Sequence, residues 1–265
     1  MTMTPILFLG AGRMGAAIAG GLVKAGTVVA HDLILVDPHP GEDALALAAA
    51  GALLNPDRSA LASARTVVLA VKPQMWRAAA ANYAGALASD ALIVSIAAGV
   101  GASDLSEAFA PRPVARVMPT TAVAVGKGVA SIWAASDAAR AGARALFTPL
   151  ARVVDLPDEN LMDAATAVSG SGPAYVYALV EAMVAAGVTS GLAPEAAKTL
   201  ARATVIGAAA LMDESPLEPA ELRKQVTSPG GTTEAALKVL MGQAGLEPLM
   251  TKAVAAAVAR AEELG

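Results

Sequence analysis

Four short stretches of this chain carry residue types able to do chemistry. Gly10-Ala11-Gly12-Arg13-Met14-Gly15 follows the apolar run Ile6 to Leu9 and opens a helical pattern reaching about Gly26. Asp37 ends a second apolar run, Leu33 to Val36. Lys72 and Pro73 end a third, Thr66 to Val71, and Thr227-Ser228-Pro229-Gly230-Gly231-Thr232-Thr233-Glu234 lies far downstream. Glycines at 10, 12 and 15 between a strand and a helix allow a tight turn, the approach of a pyrophosphate and close helix–strand packing. The free N–H groups and positive end of the helix then stabilise the phosphates. Asp37 lies 22 residues beyond Gly15 (37 − 15), where an acid bonds ribose hydroxyls. The spacing predicts dinucleotide binding at Gly10, Gly12, Gly15 and Asp37; the plainer alternative is a packing turn and a solvated turn acid before Pro38. An acid at this place suits NAD and repels the 2′-phosphate of NADP. Arg58 and His39 are near enough in sequence to meet a phosphate, so the choice between NADH and NADPH stays open.

Lys72 falls at the carboxyl end of a strand, where ligands of open α/β sheets bind, although a solvated strand end would look the same. The stretch 227–234 is a helix start whose paired glycines leave its N–H groups uncovered. It could hold a small carboxylate without any arginine, with the hydroxyls of Thr232 and Thr233 beside it; a capped helix after a Pro-Gly turn is the alternative. A further break, Ser169-Gly170-Ser171-Gly172-Pro173, interrupts apolar helical sequence within Thr166 to Tyr177. Pro173 has no N–H and would free the Ser169 carbonyl, and the glycines let a backbone or ligand approach. There is no cysteine and there are only two histidines, His31 and His39. Both read as surface residues, no metal site is expected, and acid–base work by histidine is not expected either. Hydride transfer to an acceptor that is already a cation, such as a protonated imine, needs little protein acid–base chemistry, since the nicotinamide reacts and the protein aligns.

The elements that must position these residues change character along the chain. Strands are expected at Ile6–Leu9, Leu33–Val36, Thr66–Val71, Leu92–Ile96, Val114–Met118, Gly128–Ala135 and Ala151–Asp155, with helices between them from about Gln74 to Leu87, Ala102 to Phe109 and Asp137 to Leu150. Strand–helix alternation predicts a mainly parallel sheet. From Asp158 apolar residues recur at three and four, predicting helices over 160–187, 194–213, 219–225, 231–242 and 246–263. The fold class is α/β: an N-terminal Rossmann dinucleotide-binding domain over 1–157 and a C-terminal all-α dimerisation and substrate-binding domain over 158–265. The 265 residues are 55% hydrophobic and only 3% aromatic, which suits closely packed helices. The Ala-rich second half is a thin core by itself and is expected to share it with a second chain. A net charge of −4 argues against nucleic acid as partner. No run reads as a membrane span, since Lys127 and Glu181 interrupt the apolar stretches. The N-terminus reads as a strand and turn rather than a signal peptide, so a cytoplasmic protein is expected.

Together, FLGAGRMG (8–15), AVKPQ (70–74), SIAAGV (95–100), RVMPTTAVAVGKGV (116–129), AVSGSGPAYVY (167–177) and QVTSPGGTTEAAL (225–237) resemble the pyrroline-5-carboxylate reductases over nearly the whole chain. The resemblance implies reduction of 1-pyrroline-5-carboxylate to L-proline by NADPH or NADH, and a helical domain that interlocks with a second subunit. It further implies dimers that assemble into larger rings. It places Gly10, Gly12, Arg13, Met14 and Gly15 at the pyrophosphate, and Ala70, Val71, Lys72 and Pro73 along the nicotinamide. Ser228, Gly230, Gly231 and Thr232 fall at the substrate carboxylate and Thr233 at the ring nitrogen as candidate proton donor. Thr233 and Lys72 are the catalytic candidates, and Ser169 to Pro173 would wall the site. Two departures stand out. Met118-Pro119-Thr120-Thr121-Ala122 replaces the usual M-P-N-T-P, so Thr120 lacks an amide and Ala122 is expected to loosen the loop. Asp37 stands where many relatives carry a small hydroxyl residue. A reductase or dehydrogenase of the same layout acting on another small imino or hydroxy acid is the alternative. β-Hydroxyacid dehydrogenases place a catalytic lysine on the long helix after the junction, and here no lysine precedes Lys198.

Overall fold

A computed structural model describes residues 3–264. In chain order the regular elements are β1 (Ile6–Leu9), α1 (Arg13–Lys24), β2 (Leu33–Val36), α2 (Glu42–Ala49), β3 (Leu53–Leu54), β4 (Thr66–Leu69), α3 (Trp76–Tyr83) and β5 (Leu92–Ser95). They continue with α4 (Ala102–Ala108), β6 (Val114–Pro119), β7 (Gly128–Ala134), α5 (Asp137–Phe147), β8 (Ala151–Asp155), α6 (Met162–Ala165), α7 (Gly172–Thr189), α8 (Pro194–Glu214), α9 (Pro219–Gln225), α10 (Thr232–Leu240) and α11 (Leu246–Leu264). The chain divides into two compact units, one running to Gly170 and taking in the chain from Val258, the other Ser171–Ala257.

The first unit is an eight-stranded sheet in the order β3-β2-β1-β4-β5-β6-β7-β8. All pairs are parallel except β6 with β7. Strands β1 and β2 are apolar without interruption, and β4 and β5 nearly so, because both faces are covered. Alternate residues serve opposite cores. Ile6, Phe8, Leu33, Leu35, Val68 and Val94 join Ile18 and Leu22 of α1 and Leu146 and Phe147 of α5 on one face. Leu7, Leu9, Ile34, Val67, Leu69 and Ile93 join Trp76 of α3 and Leu105 of α4 on the other. That is the period of two of a strand with two buried faces.

Several boundaries move from their expected places for local reasons. Strand β4 stops at Leu69 rather than Val71, because Lys72 already starts a 3-10 turn, Pro73–Met75. The helix expected to reach Leu87 breaks at Tyr83 and finishes as a 3-10 turn over Ala84–Ala86. Strand β3 and helix α2 were not read from the sequence, and both are short. The expected loosening at Ala122 is not found. Thr121–Val125 is an ordered 3-10 turn ending on left-handed Gly126. The Thr120 hydroxyl accepts the Val129 N–H at 3.0 Å and its own N–H donates to the Val129 carbonyl at 2.9 Å. Val123 of that turn is fully buried. It fits because a Cβ on Gly21 of α1 would stand 2.9 Å from the Val123 carbonyl oxygen.

The helical unit buries little of itself. Among its described residues only Ala197 and Ala201 are buried hydrophobics. Leu179, Met183, Leu200, Ile206, Leu211, Met212, Val239 and Leu249 are large, apolar and exposed. α7 and α8 pair closely, since a Cβ on Gly187 would stand 3.3 Å from that of Ala197. Gly191, at φ +100°, ends α7, and Pro194 opens α8 at its first position, as proline's fixed φ favours. One sequence expectation needs correction: the helical run Glu159–Thr189 does reach the length and mean hydropathy, 1.2, of a membrane span, with none of that window buried in the structure. The break at Ser169–Pro173 lies within this run, so Glu181 is not the only interruption.

Candidate active site

The first unit gathers the glycine turn, Asp37 and the Ala70–Pro73 segment at the carboxyl ends of β1, β2 and β4. The three glycines have separate physical tasks. Gly10 adopts φ +96°, and a Cβ there would stand 2.7 Å from the Ala70 carbonyl oxygen. A Cβ on Gly15 would collide with the Gly10 carbonyl oxygen and stand 3.2 Å from the Ala70 Cβ. A Cβ on Gly12 would meet no atom within 4 Å. Gly10 and Gly15 therefore answer to packing, while the space beside Gly12 is open at the N-terminus of α1. Gly12 is the N-cap, no side chain caps the helix, and Arg13 is exposed while Met14 is half-buried. An anion placed there meets uncapped N–H groups and the positive end of the helix. These residues fit a pyrophosphate.

Asp37 is half-buried and held by neighbouring groups. Its Oδ2 accepts the Ala11 N–H at 2.9 Å and its Oδ1 accepts the His39 N–H at 2.8 Å. Its main-chain N–H donates to Asn55 Oδ1 at 2.9 Å, and Asn55 Nδ2 donates to its carbonyl at 2.8 Å. Asn55 sits at φ +47°, a left-handed value that asparagine tolerates. Sequence reading missed Asn55; its signal was the Asn-Pro pair after a short apolar run, a turn marker.

Ala70 is bound into the sheet through its N–H to the Leu9 carbonyl at 2.8 Å. The Lys72 carbonyl accepts the Met75 N–H at 2.8 Å, and the Lys72 side chain is exposed. Val71 and Pro73 are half-buried beside it. A second feature missed from sequence lies at the entrance to the helices. Glu159 Oε1 pairs with Arg116 of β6 at 2.6 Å and accepts the Ala102 N–H at the start of α4 at 2.7 Å. The Arg116 side chain is 9% exposed and Glu159 27%. The Ser169 region is a π-helical turn, Thr166–Gly170, in which Ser169 Oγ donates to the Ala165 carbonyl at 2.8 Å and Thr166 Oγ1 to the Met162 carbonyl at 2.7 Å. Such an insertion is what widens a helix around small residues.

The second unit holds Ser228–Thr233. Gly230 adopts φ +72°, the Gly231 N–H donates to the Ser228 carbonyl at 3.0 Å, and Gly231 is the N-cap of α10 with no side-chain cap. Glu234 at the third helical position accepts the Gly230 N–H and pairs with Lys238 at 3.2 Å. That hydrogen bond, then Lys238, holds its carboxyl below the usual glutamate value. The glutamate thereby satisfies one loose donor of the turn, and the first helical N–H groups, those of Thr232 and Thr233, have no side-chain cap at Gly231. Thr233 is half-buried, and Ser228 and Thr232 are exposed.

A family model described as pyrroline-5-carboxylate reductase dimerisation matches residues 159–264, and one described as NADP oxidoreductase, coenzyme F420-dependent, matches residues 5–99. The chain is 41% identical over 269 residues to the pyrroline-5-carboxylate reductase of Pseudomonas aeruginosa, covering 100% of this chain and 98% of that protein. It is 38% identical to that of Synechocystis, covering 97% of each. Among solved structures, a pyrroline-5-carboxylate reductase from Coxiella burnetii superposes with TM-score 0.91 at 31% identity, over 100% of this chain and 99% of that one. A Plasmodium falciparum pyrroline carboxylate reductase with NADP bound superposes with TM-score 0.83 at 28% identity, with the same coverage. With its sheet order, its open glycine turn and full-length identity at this level, the chain belongs to the pyrroline-5-carboxylate reductase family.

Proposed function

We propose that this chain reduces 1-pyrroline-5-carboxylate to L-proline, the last step of proline biosynthesis, with NADPH or NADH as reductant. The observation that carries the reading is the space beside Gly12, open and uncapped at a helix N-terminus in a chain of this family. The reduced nicotinamide supplies a hydride when bound. Gly12, Arg13 and Met14 receive the pyrophosphate on the turn that Gly10 and Gly15 close, Asp37 the adenosine ribose, and Ala70 to Pro73 line the nicotinamide side. Ser228, Gly230, Gly231 and Thr232 hold the substrate carboxylate through main-chain N–H groups and hydroxyls. As the imine carbon takes the hydride, the C=N π electrons pass to nitrogen as a lone pair. A substrate protonated on nitrogen needs nothing more; an unprotonated one takes its proton from Thr233 Oγ, and solvent re-supplies the hydroxyl. Lys72, at the end of the nicotinamide segment, is the second catalytic candidate, and Ser169 to Pro173 are the candidate wall of the site.

Residues 158–265 act as the dimerisation and substrate-binding domain. A second copy covering Leu179, Ile206 and Leu211 supplies the core that one copy lacks, and dimers of this kind assemble further into a ring. The enzyme is read as cytoplasmic, with no nucleic-acid or membrane partner. The test is steady-state reduction of 1-pyrroline-5-carboxylate followed by loss of nicotinamide absorbance, with proline identified as product. Absence of turnover with either nucleotide, in protein shown to bind one, would move the assignment to another small imino or hydroxy acid.

A further inference from the structure

We infer that Glu159 is a positioning residue for hydride transfer: its carboxylate ties together the loops that border the nicotinamide and sets the rate of reaction rather than the affinity for the dinucleotide. The inference rests on the proposed reductase reading and concerns how the reacting ring is aligned. In a sheet ordered β3-β2-β1-β4-β5-β6 a dinucleotide lies across the carboxyl ends of the strands, its adenosine half on the β2 side and its nicotinamide half on the β4 to β6 side. Leu69, Ser95 and Arg116 stand side by side on those three strands. The segments that follow them toward the ligand side are 70–73, 96–101 and 118–121.

One carboxylate ties the second and third of these segments to the chain that enters the helices. Glu159 Oε1 accepts from Arg116 Nη1 at 2.6 Å and from the Ala102 N–H, where the 96–101 turn closes, at 2.7 Å. Helix α4 begins there with no side-chain cap from Gly101, so the distant glutamate serves as its cap. Glu159 also starts the run into the π-helical turn Thr166–Gly170. That turn lies against β6, since a Cβ on Gly170 would stand 3.9 Å from Met118 Cγ. Both groups that Glu159 binds are shielded, Arg116 being 8% and Ala102 6% exposed, so water is a poor substitute. The pyrophosphate turn follows β1, with β4 and β5 between it and the strand of Arg116. Affinity and alignment therefore rest on different parts of the sheet. Misplacing reacting atoms by about 1 Å costs about a hundredfold in rate.

Glu159→Ala alone strands a buried guanidinium, so two other variants carry the test. The double variant Arg116→Met, Glu159→Met removes both charges together with the tie to Ala102. Glu159→Gln loses the charge but keeps an oxygen able to accept both N–H groups. Each is assayed, below its melting temperature, for dinucleotide affinity, for the fluorescence gain of the bound reduced nicotinamide, which reports how firmly the ring is held, and for kcat on 1-pyrroline-5-carboxylate. The double variant is expected to melt within a few degrees of wild type and to keep its affinity within about twofold. Its kcat should fall about 10- to 100-fold and most of the fluorescence gain should be lost. Glu159→Gln is expected to melt lower than wild type yet keep kcat within about threefold, which a merely stabilising role would not give. Wild-type kcat and fluorescence in the double variant overturn the inference. So does an affinity loss as large as the loss of kcat, or a Glu159→Gln as slow as the double variant. If wild type binds a dinucleotide but does not reduce 1-pyrroline-5-carboxylate, the reductase reading fails, and the fluorescence gain of the double variant still decides the role of Glu159.

Discussion

Replacing Gly12 by alanine separates ligand space from packing space. Gly12 has φ −70° and ψ −165°, an extended conformation open to any residue. The added methyl meets no atom within 4 Å, so the folded state gains no clash. Alanine restricts the unfolded chain, stabilising by about 0.4–1 kcal/mol where the native backbone suits it. Alanine is also a poorer N-cap than glycine, which offsets part of this. The net change should stay within about 1 kcal/mol, or about 2–4 °C in a chain of this size. Binding should suffer far more. A methyl in the open space moves the pyrophosphate away from the helix N–H groups, and a lost hydrogen bond to a charged group is worth about 1.5–3 kcal/mol. The dinucleotide should therefore bind roughly 10- to 150-fold more weakly. Gly15→Ala is the contrast: its Cβ would collide with the Gly10 carbonyl oxygen, and overpacking of this kind costs about 1–3 kcal/mol, more where backbone must move. The assays are thermal denaturation and fluorescence titration of the reduced nicotinamide. Gly12→Ala with wild-type affinity would refute the assignment of that space to the pyrophosphate, and a melting loss equal to that of Gly15→Ala would show that the space is not open.

Four further outcomes are expected. Thr233→Ala should lower kcat by about 10²- to 10⁴-fold if its hydroxyl donates the proton, and an unchanged rate across pH would remove that role. Glu159→Ala strips the partner from the largely buried Arg116 and the cap from Ala102; it should destabilise by about 3–5 kcal/mol in denaturant unfolding, whereas a loss under 1 kcal/mol would show that water replaces the carboxylate. Glu234→Ala should raise the substrate KM severalfold with little change in kcat. Because the Glu234 carboxyl is held below its ordinary value of 4.5, its hold on the Gly230 turn is complete above that pH and fades as the pH falls further, so the KM of wild type should converge on that of the variant only in acid. Replacing Ile206 and Leu211 together by glutamate should leave a monomer in light scattering, although both are exposed in the single chain; an intact dimer would place the interface elsewhere.

The sequence by itself determined the fold class, a parallel-dominated sheet followed by helices, and the local backbone of the glycine turn. A continuous apolar strand, three spaced glycines and an acid at the next strand end are local in the chain, and each follows from backbone sterics or from burial on both faces of a parallel sheet. Asparagine 55 was out of reach, since its partner Asp37 is a neighbour only because β3 lies beside β2. The same holds for Glu159, which meets Arg116 across 43 residues. Thr120 looked like a lost amide in the sequence, and only the pairing of β6 with β7 showed its hydroxyl closing the turn. The glycines also needed coordinates to be told apart: all three read alike as letters, yet two are filled by the protein's own backbone and one is left open. Motif and periodicity report what a segment requires of its own backbone. Which distant side chain fixes a carboxylate, and which gap stays empty for a ligand, is decided by packing between segments far apart in the chain.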